Sequence, residues 1–543
     1  MAQPYPRWFY RALFVLMVLA ILVRLFYWHY TDRTWEDALI TVLHSENFVR
    51  GLGLTHLQPA GEPPLHGFTS PLSVLIPLVG DLVHVGWGLP FLKLISALCG
   101  AIAVWFGARI CQVLELSPAA TLTAAAFLAF EHHQIMWGMA GMETQVTTVA
   151  YLCSIYAMMR GTQWQKGLSL GFAMLARPDA AIWVAIAFLV EMMRTRKTAN
   201  WRRLVPMASG LVLLYGPWIL FTLLYYGSPI PNTIIAKSMG YPSVRAMMHG
   251  LPPLAKAVFF EHRAFMVLGS LGPGYEGNGT GLIPFWDHGV IALLMVLFCA
   301  AGLVVALRKR HAPALLLYSF VIAYTLYLIF CPSWVAGWYT APVVAVAVLG
   351  SMYGLWTLTA PIARERSRER ILAWVGGAYI VSIVSVLPFT MRSDKYIQQY
   401  VEDGGRKQIG LYFVSVSLPT DTIGTESLGY IGYYSRRVIY DYPGLCSRPV
   451  IRYLRSHPNP QDHNLTSMMN ALRPTYLVLR PGEYENPDGQ SRLPWIEQDY
   501  ELVRVFKVPE EDRKKILHHE ASSDFEFDVF RKKGAPGRAT APS

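Results

Sequence analysis

Charge is what this sequence is most short of. Only 15% of its 543 residues are charged, against 53% hydrophobic, where a soluble chain carries about 25% charged residues. That shortage excludes an ordinary soluble enzyme and points to a polytopic membrane protein with room for one further globular domain. Cysteine is scarce too: Cys99, Cys111, Cys153, Cys299, Cys331 and Cys446 make up all six. Their spacing forms no metal-binding pattern, and most lie in or beside apolar runs, where cysteine packs as a small hydrophobe. Cys446 alone falls in the polar C-terminal region, so that region has no internal disulfide. Neither an internal repeat nor a low-complexity tract precedes the tail. The first apolar run lacks a small-residue cleavage site and reads as an uncleaved helix behind Arg7 and Arg11. The net charge of +11 lies largely in short clusters between apolar runs, which is a topology signal and not a nucleic-acid surface.

Runs of spanning length, roughly 20 residues, occur near 9–28, 91–113, 118–137, 143–160, 204–226, 287–307, 312–331, 338–358 and 371–389. The stretch 166–193 is long enough for two short helices broken at Ala176-Arg177-Pro178-Asp179, and 68–87 is ambiguous because it carries Asp81 and His84. The basic clusters are Arg7/Arg11, Arg160/Lys166, Arg194 to Lys197 with Arg202-Arg203, Arg308 to Arg310, and Arg364 to Arg370. All fall on one side if 68–87 lies along the membrane surface and 166–193 crosses twice. The expectation is an α-helical polytopic membrane domain over 1–391 with about eleven spans and a cytoplasmic N-terminus. It would have a first outer loop at 29–90 and a second large outer loop at 227–286. A rival arrangement, with 68–87 crossing and 166–193 crossing once, would put Arg160 and Lys166 outside. Beyond 392 the composition becomes that of a soluble domain, with a helix expected at 394–410 and strands at 421–426, 436–441, 475–480 and 500–507. We read a small extracytoplasmic α/β domain over 392–530, followed by a disordered Lys/Arg/Gly/Ala/Pro-rich tail at 531–543.

Just past the first apolar run stands the pair Glu36-Asp37. Adjacent carboxylates at a membrane–water boundary cost solvation energy. On a helix they point about 100° apart, so one can face a cavity while the other orients a loop. A carboxylate near low dielectric has a raised pKa and serves as a general base for a hydroxyl. The plainer reading is a first-turn acid for a surface helix over 36–50, favoured by the helix dipole. On the first topology the outer face also collects His44, His56, His66, Glu143, Arg177, Asp179, Lys237, Trp338 and Tyr339, so that five segments converge. The histidines His44, His56 and His66 lie on different local elements and lack zinc-ligand spacing, so they read as polar loop or substrate contacts. Trp338 and Tyr339 could equally belong to an interfacial aromatic belt. Arg24, inside the first span, reads as a snorkelling residue.

The order Glu36-Asp37-Ala38-Leu39-Ile40, Asn47-Phe48-Val49-Arg50-Gly51 and Gly67-Phe68-Thr69-Ser70-Pro71-Leu72 resembles the first outer loop of GT-C-fold glycosyltransferases. More narrowly it resembles bacterial relatives of the mycobacterial terminal arabinofuranosyltransferase, which use polyprenyl-phosphate sugars. Further matching stretches are Gly141-Met142-Glu143-Thr144, Leu175-Ala176-Arg177-Pro178-Asp179, Tyr225 to Thr233 with Ala236-Lys237, Trp338 to Pro342, and Gly429 to Ser435 with Val438 to Asp441. The resemblance covers most of the chain in order, is specific for the superfamily, and does not identify the sugar.

The resemblance implies inverting transfer of a sugar, arabinofuranose or another pentose or hexose, from a polyprenyl monophosphate to an extracytoplasmic glycan or lipid acceptor. It places the enzyme in a bacterial inner membrane. Relatives usually carry Asp-Asp where this chain has Glu36-Asp37, so either Glu36 reaches further or Asp37 takes the role of base. Glu143 matches the second outer-loop acid. Arg177 and Lys237, with Tyr339 as a supporting donor, are the candidates for the departing phosphate. His44, His66, Trp338 and Asn232 are the candidates for substrate contact. No cofactor or metal is called for, although some branches of the superfamily use a divalent cation. Three other readings stay open: a transporter or flippase of lipid-linked sugars, a glycan ligase or polymerase with a diphosphate donor, and an inactive scaffold.

Overall fold

The computed structural model describes residues 5–196, 201–273, 288–331, 334–361, 365–485, 492–516 and 520–535. Part of the second outer loop, 274–287, lies outside the described residues, as does the tail beyond 535.

Among the described residues seven helices are long and apolar enough to cross a membrane: Arg7–Thr31, Gly88–Val113, Trp201–Tyr226, Gly289–Lys309, Ala312–Phe330, Gly337–Leu358 and the helical run Arg366–Val416. The chain is a multi-pass membrane protein. The ambiguous stretch 68–87 holds only the 12-residue helix Leu72–Val83, about 18 Å long where the hydrocarbon core is about 30 Å. Residues 166–193 form two helices, Gln163–Ala176 and Ala181–Arg196. Between them Pro178 forces Arg177 into an extended conformation (φ −157°, ψ 135°), as the residue before a proline prefers.

One compact unit comprises 1–30, 92–219 and 244–391. Its centre is Gly337–Leu358, buried along nearly its whole length. Small residues let neighbouring backbones approach: a side chain at Gly354 would strike the Phe298 carbonyl, and the Tyr318 hydroxyl donates to the Gly350 carbonyl at 2.8 Å. Close contact through small residues is how helices associate where lipid removes the hydrophobic driving force. The apolar run 118–137 is in fact two helices, Pro118–Phe130 and His132–Met139, with Glu131 at the break. The Glu131 carboxylate accepts from the His133 and Gln134 backbone N–H groups, both at 2.9 Å, and so caps the second helix. Arg24 does not snorkel: it is fully buried, and its guanidinium donates to the carbonyls of Leu128, Ala129 and Gln134 and to Gln145 Oε1, at 3.1–3.3 Å. At Leu128 and Ala129 it satisfies carbonyls that the end of helix Pro118–Phe130 leaves unpaired.

The second unit comprises 31–91, 220–243 and 392–543, so the first outer loop folds together with the C-terminal region. Its core is a five-stranded sheet of β1 Thr422–Thr425, β2 Val438–Asp441, β3 Tyr476–Leu479, β4 Tyr500–Lys507 and β5 Glu526–Lys532, in the order β2-β1-β3-β5-β4. β1 runs parallel to β2 and β3, while β5 is antiparallel to β3 and β4. β5 was not expected from the sequence, and it carries the domain into residues assigned to the tail. Strand alternation covers both faces: Tyr476 and Val478 pack with Ile409, Phe413, Ile431 and Ile40, and Leu477 and Leu479 pack with Val450, Leu454, Met468 and Ala236. Ile40 comes from the first loop and Ala236 from the helix Asn232–Gly240. The helix expected at 394–410 is part of a longer run, Leu387–Val416, whose middle, Ile397–Arg406, is π-helical.

Candidate active site

Helix Glu36–Val49 opens with the two acids, and Trp35 precedes it in extended conformation. Three residues before the pair, Arg33 is tied to Glu402 at 2.9 Å, with both side chains almost wholly buried. The Thr34 N–H donates to Gln398 Oε1 at 3.0 Å, and the Tyr430 hydroxyl donates to the Thr34 carbonyl at 3.1 Å. The segment entering the helix is therefore clamped by the π-helical stretch and by helix Leu428–Ser435.

Glu36 is anchored next. Its Oε1 accepts the Gly429 backbone N–H at 2.6 Å. Its other carboxylate oxygen takes no hydrogen bond among the described residues, and the residue keeps part of its surface open. Burial holds the Glu36 carboxyl well above the usual carboxylate range; Arg406 pulls it down, and Glu426 and Asp37 push it up. Burial also raises Asp37, which Lys237 and Arg406 counter and Glu426 reinforces. Arg406 is held by Glu402 at 2.8 Å and Asp524 at 2.6 Å. Arg480 is held by Glu426, Glu483 and Asp524, each at 2.7 Å. A desolvated carboxylate with one oxygen fixed and the other not hydrogen-bonded is suited to taking a proton from a hydroxyl.

A second cluster belongs to the first unit. Arg177 Nη1 donates to Glu143 Oε1 at 3.2 Å, and Arg177 Nε donates to Asp179 Oδ1 at 3.0 Å. The guanidinium lies 4.5 Å from the Tyr339 ring centroid. The Tyr324 hydroxyl is 3.0 Å from the Asp179 carbonyl and 3.1 Å from the Tyr151 hydroxyl.

Among proteins of known structure, ArnT from Cupriavidus metallidurans bound to undecaprenyl phosphate superposes with a TM-score of 0.53 at 14% identity, over 95% of this chain and 97% of that one. The apo oligosaccharyltransferase of Archaeoglobus fulgidus gives 0.53 at 13% identity, over 87% and 70%. AglB from the same organism, in complex with an inhibitory peptide and a dolichol-phosphate, gives 0.53 at 11% identity, over 94% and 80%. The chain has the GT-C fold. At these identities the likeness is one of fold alone. A family model described as a domain of unknown function (DUF8728) matches residues 391–530, the C-terminal part of this GT-C chain. No curated protein sequence matches it.

Within the GT-C framework the expected site residues divide between the two units. Glu36, Asp37, His44, His66, Asn232 and Lys237 belong to one, and Glu143, Arg177, Trp338 and Tyr339 to the other. Several serve other purposes than those expected. His44 is wholly buried, donates from Nδ1 to the Ile40 carbonyl at 2.7 Å, and packs on Phe68. His66 is 3% exposed and stacks on Tyr226. Burial pushes His44 down to about 4 and His56 and His66 to about 3, so desolvation favours the neutral imidazole at all three. The Asn232 amide donates to the Gly444 and Leu445 carbonyls at 2.8 and 2.9 Å, pinning its helix to the turn after β2. Trp338 is 4% exposed and packs edge-on against Trp137, which makes it core and not a sugar platform. Among the described residues no group of three or more His, Cys, Asp or Glu side chains is placed to hold a metal ion. Sequence reading missed Arg406, Glu426, Arg480 and Asp524, and noted Gly429 only as part of a matching stretch. Glu426 and Arg480 had a usable signal, since each is a charged residue closing an expected strand.

Proposed function

We propose that this protein is an inverting membrane glycosyltransferase that moves a sugar from a polyprenyl monophosphate to an extracytoplasmic glycan or lipid acceptor, with Glu36 as the general base. The observation that carries this reading is the Glu36 carboxylate, desolvated, fixed at one oxygen by Gly429 and without a hydrogen bond at the other among the described residues. In the reaction an acceptor hydroxyl oxygen attacks the anomeric carbon as its proton passes to Glu36. The bond from the anomeric carbon to phosphate oxygen breaks, and polyprenyl phosphate leaves with the electron pair. A phosphate leaving group needs cations more than a general acid, and Lys237, in the field of Asp37, is assigned to it. Asp37 holds that lysine's charge in place. Undecaprenyl phosphate in ArnT and dolichol-phosphate in AglB support a polyprenyl carrier. The sugar is arabinofuranose or another pentose or hexose. For the cluster of Glu143, Arg177 and Asp179, with Tyr339 against the guanidinium, we assign contact with the sugar donor. A bacterial inner membrane, a cytoplasmic N-terminus and a periplasmic C-terminal domain complete the reading. The basic clusters support it, as does the shortness of helix Leu72–Val83, which removes one crossing.

The test is transfer by the purified protein from a panel of radiolabelled polyprenyl-phosphate sugars to a cell-envelope extract. Glu36→Gln is expected to cut turnover by about 100-fold or more. Asp37→Asn should act mainly through the KM for donor. Donor that is bound by all three proteins but never consumed would overturn the enzymatic reading and favour transport.

A further inference from the structure

The C-terminal domain has a strand order that reverses beside β1. From β1 the chain passes through helix Leu428–Ser435 to β2 on one side, and then through Arg448–Ser456 and Leu465–Leu472 to β3 on the other. The first of these helices packs on the face carrying Ile423, Tyr476 and Val478, and the later two on the face carrying Leu477 and Leu479. In parallel α/β sheets the carboxyl ends of the strands flanking such a reversal form the crevice where ligands bind. Here the residues at that point are Glu426, directly after β1, and Arg480, directly after β3, joined to each other at 2.7 Å. Gly429 opens the helix that follows β1, and its N–H bonds Glu36. The crevice is thus occupied by the chain's own Glu36.

We propose that the C-terminal domain is a positioning device for the base: its switch-point crevice holds Glu36 as an internal ligand, with Gly429 fixing the carboxylate and Glu426 facing it. The proposal rests on the reading of Glu36 as base and assigns a role to a domain that the transfer chemistry alone does not require. Close approach is built in, because a side chain at Gly429 would overlap the Glu36 backbone carbonyl. Arg480 holds Glu426 in place from the next strand, while Asp524 ties Arg480 to Arg406. The charged groups facing Glu36 are Arg406 from the π-helical stretch, Glu426 from the crevice and Asp37 from its own helix. Those facing Asp37 are Lys237, Glu426 and Arg406. Removing the Glu426 charge eases ionisation of Glu36, so the acid limb of the rate profile moves to lower pH.

The experiment compares wild type, Glu426→Gln and Gly429→Ala for kcat, KM for donor, and the pH dependence of kcat/KM, with thermal melting as a control for folding. Glu426→Gln is expected to shift the acid limb downward by about half to one pH unit with the melting temperature retained. Gly429→Ala is expected to lower kcat by about tenfold or more with little change in KM. Carboxyl titration followed by difference infrared spectroscopy, wild type minus Glu36→Gln, gives the same shift without turnover. An unmoved limb and an unmoved infrared titration in Glu426→Gln would overturn the inference while leaving the transferase reading intact. Absence of transfer by wild type from every donor would overturn both.

Discussion

At the level of single residues, the buried titratable groups of the second unit act in opposite directions. Asp441, at the end of β2, is wholly buried, and although it accepts the Cys446 N–H at 3.0 Å, burial pushes it up to about 7. Its folded form binds a proton more tightly than its unfolded form. Its contribution is therefore fully present below about pH 4 and is lost as pH rises toward 7, at up to about 1.4 kcal/mol per unit. His44 and His56, pushed down to about 4 and 3, bind protons less tightly when folded. Their contribution is present above about pH 6.5 and is lost on acidification. Between about pH 4 and 6.5 Asp441→Asn should therefore melt with a steeper rise in stability with pH than wild type; parallel curves would show that Asp441 is ionised throughout. The acidic pair itself could be read from the sequence because charge beside an apolar run stands out. The histidines misled because a polar residue in a loop looks exposed until packing is known. Asn232 misled for the same reason, its amide being committed to two backbone carbonyls.

Secondary-structure elements were legible where one period persisted. β1 to β4 were expected within a residue or two, whereas β5 was missed because its Arg531-Lys532 end runs into a basic tail. The break at Glu131 was missed because the four polar residues Glu131 to Gln134 vanish in a 20-residue hydropathy window. Arg24 explains why the break is stable. Arg24→Met should leave the Leu128 and Ala129 carbonyls buried without a donor, at about 1–3 kcal/mol each. We expect a clearly lowered melting temperature in detergent and poor recovery from membranes, with Arg24→Lys in between. Recovery and melting equal to wild type would show that water or lipid replaces the guanidinium.

For the whole molecule, the notable point is that the sequence marks a boundary near 392, while the compact unit also takes in residues 31–91 and 220–243. Composition reveals where a chain turns polar, but not which distant segments complete a core. Ile40 and Ala236 supply that completion. The segment 391–530 expressed alone should consequently melt non-cooperatively or aggregate, and co-expression with residues 31–91 should improve both. Cooperative melting of the lone segment would show that its core closes without them. The hydrogen bond from Gly429 to Glu36 joins residues 393 apart in the chain. At about 5–20 residues per second, the ribosome delivers the second partner roughly 20–80 seconds after the first. Each new molecule thus enters the membrane with its acids in place and their grip still unmade, and under the proposed role a product released early by a stalled ribosome is inert by construction of the chain's order.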